Sequence, residues 1–138
     1  MKGLYNMKLL IIRHGDPDYS IDSLTEKGWR EAELLSERIS KLDVKAFYCS
    51  PLGRAKDTAS LTLKKMGREA ETLEWLKEFY YCQIKLPYIK EGTALTWDLL
   101  PSFFTHIDDL YDKDKFKDVD FMREGNYPEL YKNVTDGL

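Results

Sequence analysis

Residues 9–17 read Leu9-Leu10-Ile11-Ile12-Arg13-His14-Gly15-Asp16-Pro17. An unbroken run of strand-forming apolar residues is typical of a buried parallel strand. The run ends in a cation, an imidazole and a glycine, and ligands of open α/β sheets bind at the carboxyl ends of strands. We therefore predict a buried strand over residues 9–12 that places Arg13 and His14 in one cavity at its end.

Arg13 and His14 together suit phosphate chemistry. An imidazole is a nucleophile while it is neutral, and a neighbouring guanidinium favours that neutral form. Arginine also presents a planar fork of donors that matches phosphate oxygens. The pair predicts a phosphate-binding arginine beside a histidine that carries a phosphoryl group. A strand end with a surface arginine and a hydrogen-bonded histidine is the alternative reading of this dipeptide.

The length, composition and net charge of the chain limit the classes of protein to which it can belong. The chain has 138 residues, 43% of them hydrophobic, which suffices for one domain with a core. A formal net charge of -3 gives no general attraction to nucleic acid or to an anionic membrane. The sequence shows no run of 18 apolar residues and no signal-peptide pattern, so we expect a cytoplasmic protein. Cys49 and Cys82 are predicted to be buried free thiols.

The first half of the chain alternates strand and helix patterns. Further strands are predicted at 45–49 and 71–75, and helices over about 26–41 and from Pro51 to Gly67. This β-α-β-α-β order implies a parallel sheet with right-handed crossovers. Thr25 is the predicted cap of the first helix and Ser50 that of the second. The helices have apolar stripes made of Gly28, Ala32, Leu35, Ile39 and Leu42, and of Leu52, Ala55, Ala59, Leu63 and Met66.

Arg54 is predicted in the first turn of the second helix, off its apolar stripe. That turn carries unpaired backbone N–H groups and the positive end of the helix dipole. An anion bound there meets N–H donors and a guanidinium together. We therefore expect Arg54 to face a cavity rather than to pack in the core.

Three sequence blocks, in this order, resemble the histidine phosphatase superfamily, the phosphoglycerate mutase-like group. They are Arg13-His14-Gly15, Leu24-Thr25-x-x-Gly28 and Ser50-Pro51-x-x-Arg54-Ala55-x-x-Thr58-Ala59. The resemblance implies a three-layer α/β/α sandwich with a parallel central sheet. It also implies that His14 is the nucleophile that forms a phosphohistidine and that Arg13 and Arg54 bind the phosphoryl oxygens, with no metal and no cofactor.

The resemblance places a general acid after the third strand, where this chain has Glu78. A partly desolvated carboxyl stays protonated enough to protonate a leaving alkoxide. Glu74 is the competing assignment and Asp16 a weaker one. Relatives often carry Thr and Asn after the Arg-His-Gly block, whereas this loop reads Asp16-Pro17-Asp18-Tyr19-Ser20, so contacts to the substrate are expected to differ.

The second half of the chain is predicted to contain a helical excursion, residues 83–127, that covers the site. Trp97, Phe103 and Phe104 are expected to pack in a core or lid. A last helix is predicted from Pro128 onward. Beyond it the resemblance implies a strand with a second histidine, a role that His106 does not match, because no strand flanks it.

The 138 residues are therefore expected to form a single histidine phosphatase-like domain that is incomplete at its C-terminus. One lost electrostatic partner typically costs on the order of 10²-fold in rate, so we expect weak or absent turnover. We also expect an unpaired sheet edge, through which copies of the chain associate.

Phosphoryl transfer is the predicted function, most specifically hydrolysis of a small phosphorylated metabolite through a phosphohistidine at His14. Two alternatives stay open at this point: a phosphoglycerate mutase-type phosphotransferase, and a non-catalytic module that binds a phosphorylated ligand on the same fold. A nucleic-acid binder using residues 80–90 is disfavoured by the acidic net charge. The expected partners are a small phosphorylated substrate and a second copy of the chain, without nucleic acid or membrane.

Overall fold

The computed structural model describes residues 7–78, 83–95 and 98–138, which form two compact units divided after Glu74. The first unit contains a short antiparallel pair of strands, two long helices and a parallel pair of strands. Its elements are β1 (Pro17–Asp18), β2 (Ser23–Leu24), α1 (Glu26–Ile39), β3 (Tyr48–Cys49), α2 (Gly53–Met66) and β4 (Glu71–Thr72). A 3-10 helix at Glu74–Leu76 follows.

Helix α1 confirms the first predicted helix. Thr25 caps it as predicted, because its hydroxyl accepts a hydrogen bond from the Gly28 N–H at 3.1 Å. The helix ends with Ser40 as its C-cap, so the predicted stripe residue Leu42 lies beyond it and is exposed. The buried residues of α1 keep a helical period and are Gly28, Ala32, Ser36 and Ile39.

Helix α2 confirms the second predicted helix with two corrections. It begins at Gly53, two residues after Pro51, and its N-cap residue is Leu52 rather than Ser50. Its fully buried residues are polar, and of the predicted apolar stripe only Leu52, at the N-cap, is buried, while the other four residues are partly buried. The Thr58 hydroxyl tolerates burial because it donates to the Arg54 carbonyl one turn earlier. The buried Thr62 hydroxyl has no hydrogen-bond partner among the described residues. The buried row comprises Arg54, Thr58 and Thr62.

The parallel pairing of the second and third predicted strands is confirmed, although both strands are shorter than predicted. Tyr48 lies opposite Glu71 and Cys49 opposite Thr72, with α2 connecting the two strands. Cys49 is a buried free thiol, as expected, and burial raises its pKa. Cys82 lies outside the described residues.

The predicted first strand, residues 9–12, is not formed. Within the described part of the chain, these residues join no sheet and make no backbone–backbone hydrogen bond. Their side chains are 45% exposed at Ile12 to 85% exposed at Ile11. A strand needs a hydrogen-bonded neighbour, and the described residues place none beside this run. The three-layer parallel sandwich is therefore not confirmed, since each sheet of the described residues has two strands. Association of copies through an unpaired edge stays a prediction.

The second unit combines helices with a short antiparallel pair, β5 (Gln83–Ile84) and β6 (Ala94–Leu95), where a helical excursion was predicted. Pro87 and the positive φ of 82° at Gly92 interrupt any helix between these strands. The last predicted helix is confirmed as α5. The helices are α3 (Pro101–Phe104), α4 (Asp120–Glu124) and α5 (Tyr127–Gly137), with 3-10 helices at Asp108–Tyr111 and Phe116–Asp118.

Aromatic packing organises this unit. Phe103 packs against a core of Ile84, Leu86 and Ala94, and its ring centroid lies 5.2 Å from that of Tyr88. The packing role predicted for Phe103 is thereby confirmed, whereas Trp97 lies outside the described residues. No helix in the described ranges is long and apolar enough to cross a membrane.

Gly28 allows α1 to lie against the loop that follows His14. A Cβ atom at position 28 would lie 2.2 Å from the Asp16 carbonyl oxygen and 3.0 Å from the Leu24 Cβ. We predict that Gly28→Ala destabilises the protein by about 2 kcal/mol or more, because backbone must move to admit the methyl group. Urea unfolding measures this change. Lys27→Ala, at an exposed position of the same helix, is the control and should change stability by less than about 0.5 kcal/mol. A stabilised Gly28→Ala variant would refute the close approach.

Candidate active site

The loop that carries His14 is held by both long helices. The Gly15 N–H donates to the Thr58 hydroxyl of α2 at 3.0 Å. The Asp16 N–H donates to a carboxylate oxygen of Glu31 in α1 at 2.8 Å. The position of the predicted nucleophile is therefore fixed by hydrogen bonds to two separate elements.

The second sequence block, Leu24-Thr25-x-x-Gly28, contacts the same loop through Thr25. The Thr25 N–H donates to the Asp16 carbonyl at 3.0 Å, and the Thr25 hydroxyl donates to Asp16 Oδ2 at 2.7 Å. Because this hydroxyl also caps α1 through Gly28, one side chain anchors both the helix and the loop. The three blocks that predicted the site thus meet within the first unit.

His14 is oriented by the carbonyl group of the next residue. Its Nδ1 lies 2.8 Å from the Gly15 oxygen. A carbonyl oxygen only accepts hydrogen bonds, so we assign the hydrogen to Nδ1, which leaves a lone pair on Nε2 of the neutral ring. The residue is partly exposed. In the neutral ring this arrangement leaves Nε2 as the nitrogen with the free lone pair.

The two predicted phosphate-binding arginines differ in their surroundings. Arg13 is exposed, whereas Arg54 is 5% exposed. Arg54 Nη1 donates to Asp22 Oδ1 at 2.7 Å, and its guanidinium carbon lies 5.2 Å from the centroid of the Tyr19 ring. The burial of Arg54 corrects the expectation that it stands clear of the packed residues. A guanidinium is accommodated there because a carboxylate and an aromatic face contact it.

Asp22 is a site residue that the sequence reasoning missed. Its Oδ2 accepts a hydrogen bond from the Gly53 N–H at 2.7 Å, so it caps α2 from a distant loop. A helix start without a polar residue at its cap position, here Leu52, is the signal for such a remote acceptor. Because Ser50 was predicted to be the cap, no remote acceptor was expected. The Ser50 hydroxyl instead accepts a hydrogen bond from the Leu52 N–H at 3.4 Å.

The candidate general acids occupy different places. Asp16 serves as an anchor of the motif loop through Thr25. Glu74 is the last residue of the first unit and Glu78 belongs to the second, and both are exposed. The assignment of Glu78, with Glu74 as its competitor, stays a prediction. His106 is exposed and its Nδ1 contacts the Ser102 carbonyl one turn earlier in the second unit.

The first unit also has a groove on its surface, away from the predicted site. An open groove of about 510 Å³ on the first unit contains none of the predicted site residues. In the described ranges, no group of three or more His, Cys, Asp or Glu residues is arranged to hold a metal ion. The groove is lined by Trp29, Arg30, Glu33, Leu34 and Leu61.

The Asp22 contacts predict an acid-sensitive part of the stability. Burial by itself would raise the pKa of Asp22, but the hydrogen bonds from Gly53 and Arg54 lower the pKa below its ordinary value. A lowered pKa stabilises the fold above the ordinary value, and this stabilisation is lost as the pH falls through the folded-state pKa. We expect the Tm difference between wild type and Asp22→Asn to be largest near pH 6 and to shrink from about pH 4 downward. Thermal unfolding followed by circular dichroism tests this, and a difference independent of pH would disprove it.

Known proteins match the part of the chain that contains the three sequence blocks. The sequence profile of the histidine phosphatase superfamily (branch 1) matches residues 9–109. A 2,3-bisphosphoglycerate-dependent phosphoglycerate mutase from Thermoplasma acidophilum is 34% identical over 79 residues, which cover 50% of this chain and 40% of that protein. A probable phosphatase from Schizosaccharomyces pombe is 36% identical over 61 residues, which cover 38% of this chain and 29% of that protein.

A solved structure named mycobacterial hydrolase 1 shares 24% identity and a TM-score of 0.43, over 57% of this chain and 39% of that one. The chain thus spans less than half the length of these relatives. The family profile covers more than half of the sequence, including all three blocks that meet around His14. The chain therefore belongs to the histidine phosphatase superfamily.

Proposed function

We propose that the protein hydrolyses a small phosphorylated metabolite through a phosphohistidine at His14. The observation that carries this proposal is the hydrogen bond from Nδ1–H to the Gly15 carbonyl. It leaves the Nε2 lone pair of the neutral ring available for nucleophilic attack. Phosphoryl transfer needs an in-line nucleophile and neutralisation of the charge spread over the phosphoryl oxygens. Arg13, exposed beside His14, and Arg54, at the start of α2, are the proposed cations.

In the proposed first step, His14 Nε2 attacks phosphorus and the bond from phosphorus to the ester oxygen breaks. The leaving alkoxide takes a proton from a carboxylic acid, for which Glu78 is the first candidate and Glu74 the second. Water then gives a proton to the carboxylate left by the first step while its oxygen attacks phosphorus, and the bond from phosphorus to Nε2 breaks, which releases inorganic phosphate and restores the carboxylic acid and Nε2. Arg13 and Arg54 bind the phosphoryl oxygens throughout, because guanidinium forks match them.

The two named relatives support different acceptors in the second step. The protein from Thermoplasma acidophilum is named a mutase, and the one from Schizosaccharomyces pombe a probable phosphatase. A mutase returns the phosphoryl group to an organic hydroxyl instead of water. We favour hydrolysis because the loop Asp16-Pro17-Asp18-Tyr19-Ser20 departs from the usual mutase pattern.

The proposal extends to partners and location. We propose a small-molecule substrate rather than nucleic acid or a membrane surface, supported by the formal net charge of -3. We also propose a cytoplasmic location, supported by the buried free thiol of Cys49, since reducing compartments keep thiols unpaired.

Phosphohistidine formation tests the proposed function directly. After incubation with a ³²P-labelled phosphomonoester, we expect acid-labile label on His14 of the wild-type chain even at the weak turnover expected of these 138 residues, because trapping one phosphoryl group per chain requires no repeated turnover. His14→Ala should abolish the label. The matched control is His106→Ala, which removes the other of the two histidines and should keep it. Arg13→Ala should slow labelling on the order of 10²-fold, because one electrostatic partner of the transferring group is lost.

Each other outcome of this experiment has a defined meaning. Label that persists in His14→Ala, or that depends on His106, would overturn the proposed function. Absence of label while inorganic vanadate binds would favour the non-catalytic module. Faster transfer from phosphohistidine to an added organic hydroxyl than to water would favour the mutase.

A further inference from the structure

We propose that Asp22 is a positioning residue for Arg54, which it holds in the orientation that a phosphoryl group requires at the start of α2. This inference rests on the proposed function, since the orientation of Arg54 matters to the reaction only if Arg54 binds the phosphoryl group. It assigns a role to a residue outside the three sequence blocks.

One carboxylate joins two consecutive residues of α2. Asp22 Oδ2 accepts from the Gly53 N–H and Oδ1 accepts from Arg54 Nη1, each at 2.7 Å. The Arg54 side chain is thereby tied to the first backbone N–H of its own helix. Bonds between charged groups are stronger and more directional than neutral ones, so this bridge restricts a long side chain that would otherwise sample many rotamers.

The surroundings of Arg54 make a fixed counter-charge necessary. Its side chain is 6% exposed, and a buried cation is costly unless it is paired. The Tyr19 ring lies against the guanidinium, 5.2 Å from its central carbon to the ring centroid. The guanidinium is therefore held both by a carboxylate and by an aromatic face before any ligand binds. Donors that are already oriented need no reorganisation when charge develops in the transition state.

The Asp22 backbone is fixed by its neighbours, so its carboxylate is not expected to leave Arg54 when a phosphoryl group binds. The next residue, Ser23, pairs with Asp18 in the antiparallel strands, and its hydroxyl donates to Asp57 Oδ2 of α2 at 2.6 Å. A Cβ atom on Gly53 would lie 2.1 Å from the Asp22 carbonyl oxygen, so backbone and helix start are in direct contact. Withdrawal of the carboxylate would disturb these contacts. A fixed acceptor orients Arg54 and does not exchange with the ligand.

Vanadate binding to the 138-residue chain tests this role without requiring turnover. Asp22→Asn keeps the shape of the side chain and an acceptor for Gly53, but removes the charge that orients Arg54. We expect it to weaken vanadate binding about tenfold or more, the usual effect of losing a hydrogen bond to a charged group. Asp57→Asn is the matched control, because it removes a charge from the acceptor of Ser23 in the same loop, keeps an oxygen that accepts from that hydroxyl, and leaves the partner of Arg54 in place. It should change the vanadate Kd by about twofold or less.

A double-mutant cycle shows whether Asp22 acts through Arg54. Arg54→Lys keeps a positive charge but lacks the planar fork that a carboxylate orients. Asp22→Asn should therefore weaken vanadate binding less in the Arg54→Lys background than in the wild type. Additive losses would mean that the two residues act independently, which would overturn the positioning role.

Three further results would also overturn the inference: tighter vanadate binding by Asp22→Asn, a lowered Tm with an unchanged Kd, or no vanadate binding by the wild type. If Asp22→Asn does not fold, Asp22→Glu is measured instead. It keeps the charge but moves the carboxylate by one methylene group from its place beside Arg54, so it should also weaken vanadate binding. Failure of the proposed function is separable. Missing label on His14, with these vanadate effects intact, would overturn the hydrolysis and leave the role of Asp22 standing.

Discussion

The hydrogen bond from the Gly15 N–H to the Thr58 hydroxyl is the constraint on which the candidate site depends. The same hydroxyl donates to the Arg54 carbonyl at 2.7 Å. The acceptor, Thr58, is 5% exposed and the bond is partly buried, and an N–H withdrawn from water without an acceptor is costly, so this bond favours one position of the loop. A single hydroxyl thereby fixes the loop that carries His14 against the helix start that carries Arg54.

Two of the buried polar residues of α2, Arg54 and Thr58, form hydrogen bonds with the loops as well as packing in the core. An apolar stripe would offer no acceptor for Gly15 and no cation for Asp22. Arg54 contributes to folding and to the proposed binding of phosphate at the same time. Its loss leaves the Asp22 carboxylate without the guanidinium, so function and stability are coupled at this residue. Stability of the first unit therefore depends on the same hydrogen bonds that build the site.

Local signals in the sequence predicted local structure well. The Thr25 cap and the spacing of the apolar residues predicted α1, and Gly67, with a φ of 60°, ends α2 as predicted. The strand predicted at residues 9–12 is not formed, because a strand depends on the neighbour with which it pairs and not on its own residues alone. The contact of Asp22 with Gly53 spans 31 residues and needs a left-handed turn with a φ of 47°, which no short pattern encodes. The resemblance implied the role of His14, and the contact of its Nδ1 with the Gly15 carbonyl is the basis on which we assign its tautomer.

The Nδ1–H tautomer of His14 is the feature on which the proposed choice of Nε2 as the nucleophilic nitrogen depends. Long-range ¹H–¹⁵N NMR measures it directly, with His14→Ala used to assign the ring signals of the two histidines. At a pH where the ring is neutral, the bond to the Gly15 carbonyl predicts a protonated Nδ1 and an unprotonated Nε2, with Nε2 responding to added vanadate. A neutral ring protonated at Nε2, or a vanadate response confined to Nδ1, would contradict the assignment of His14 Nε2 as the nucleophile.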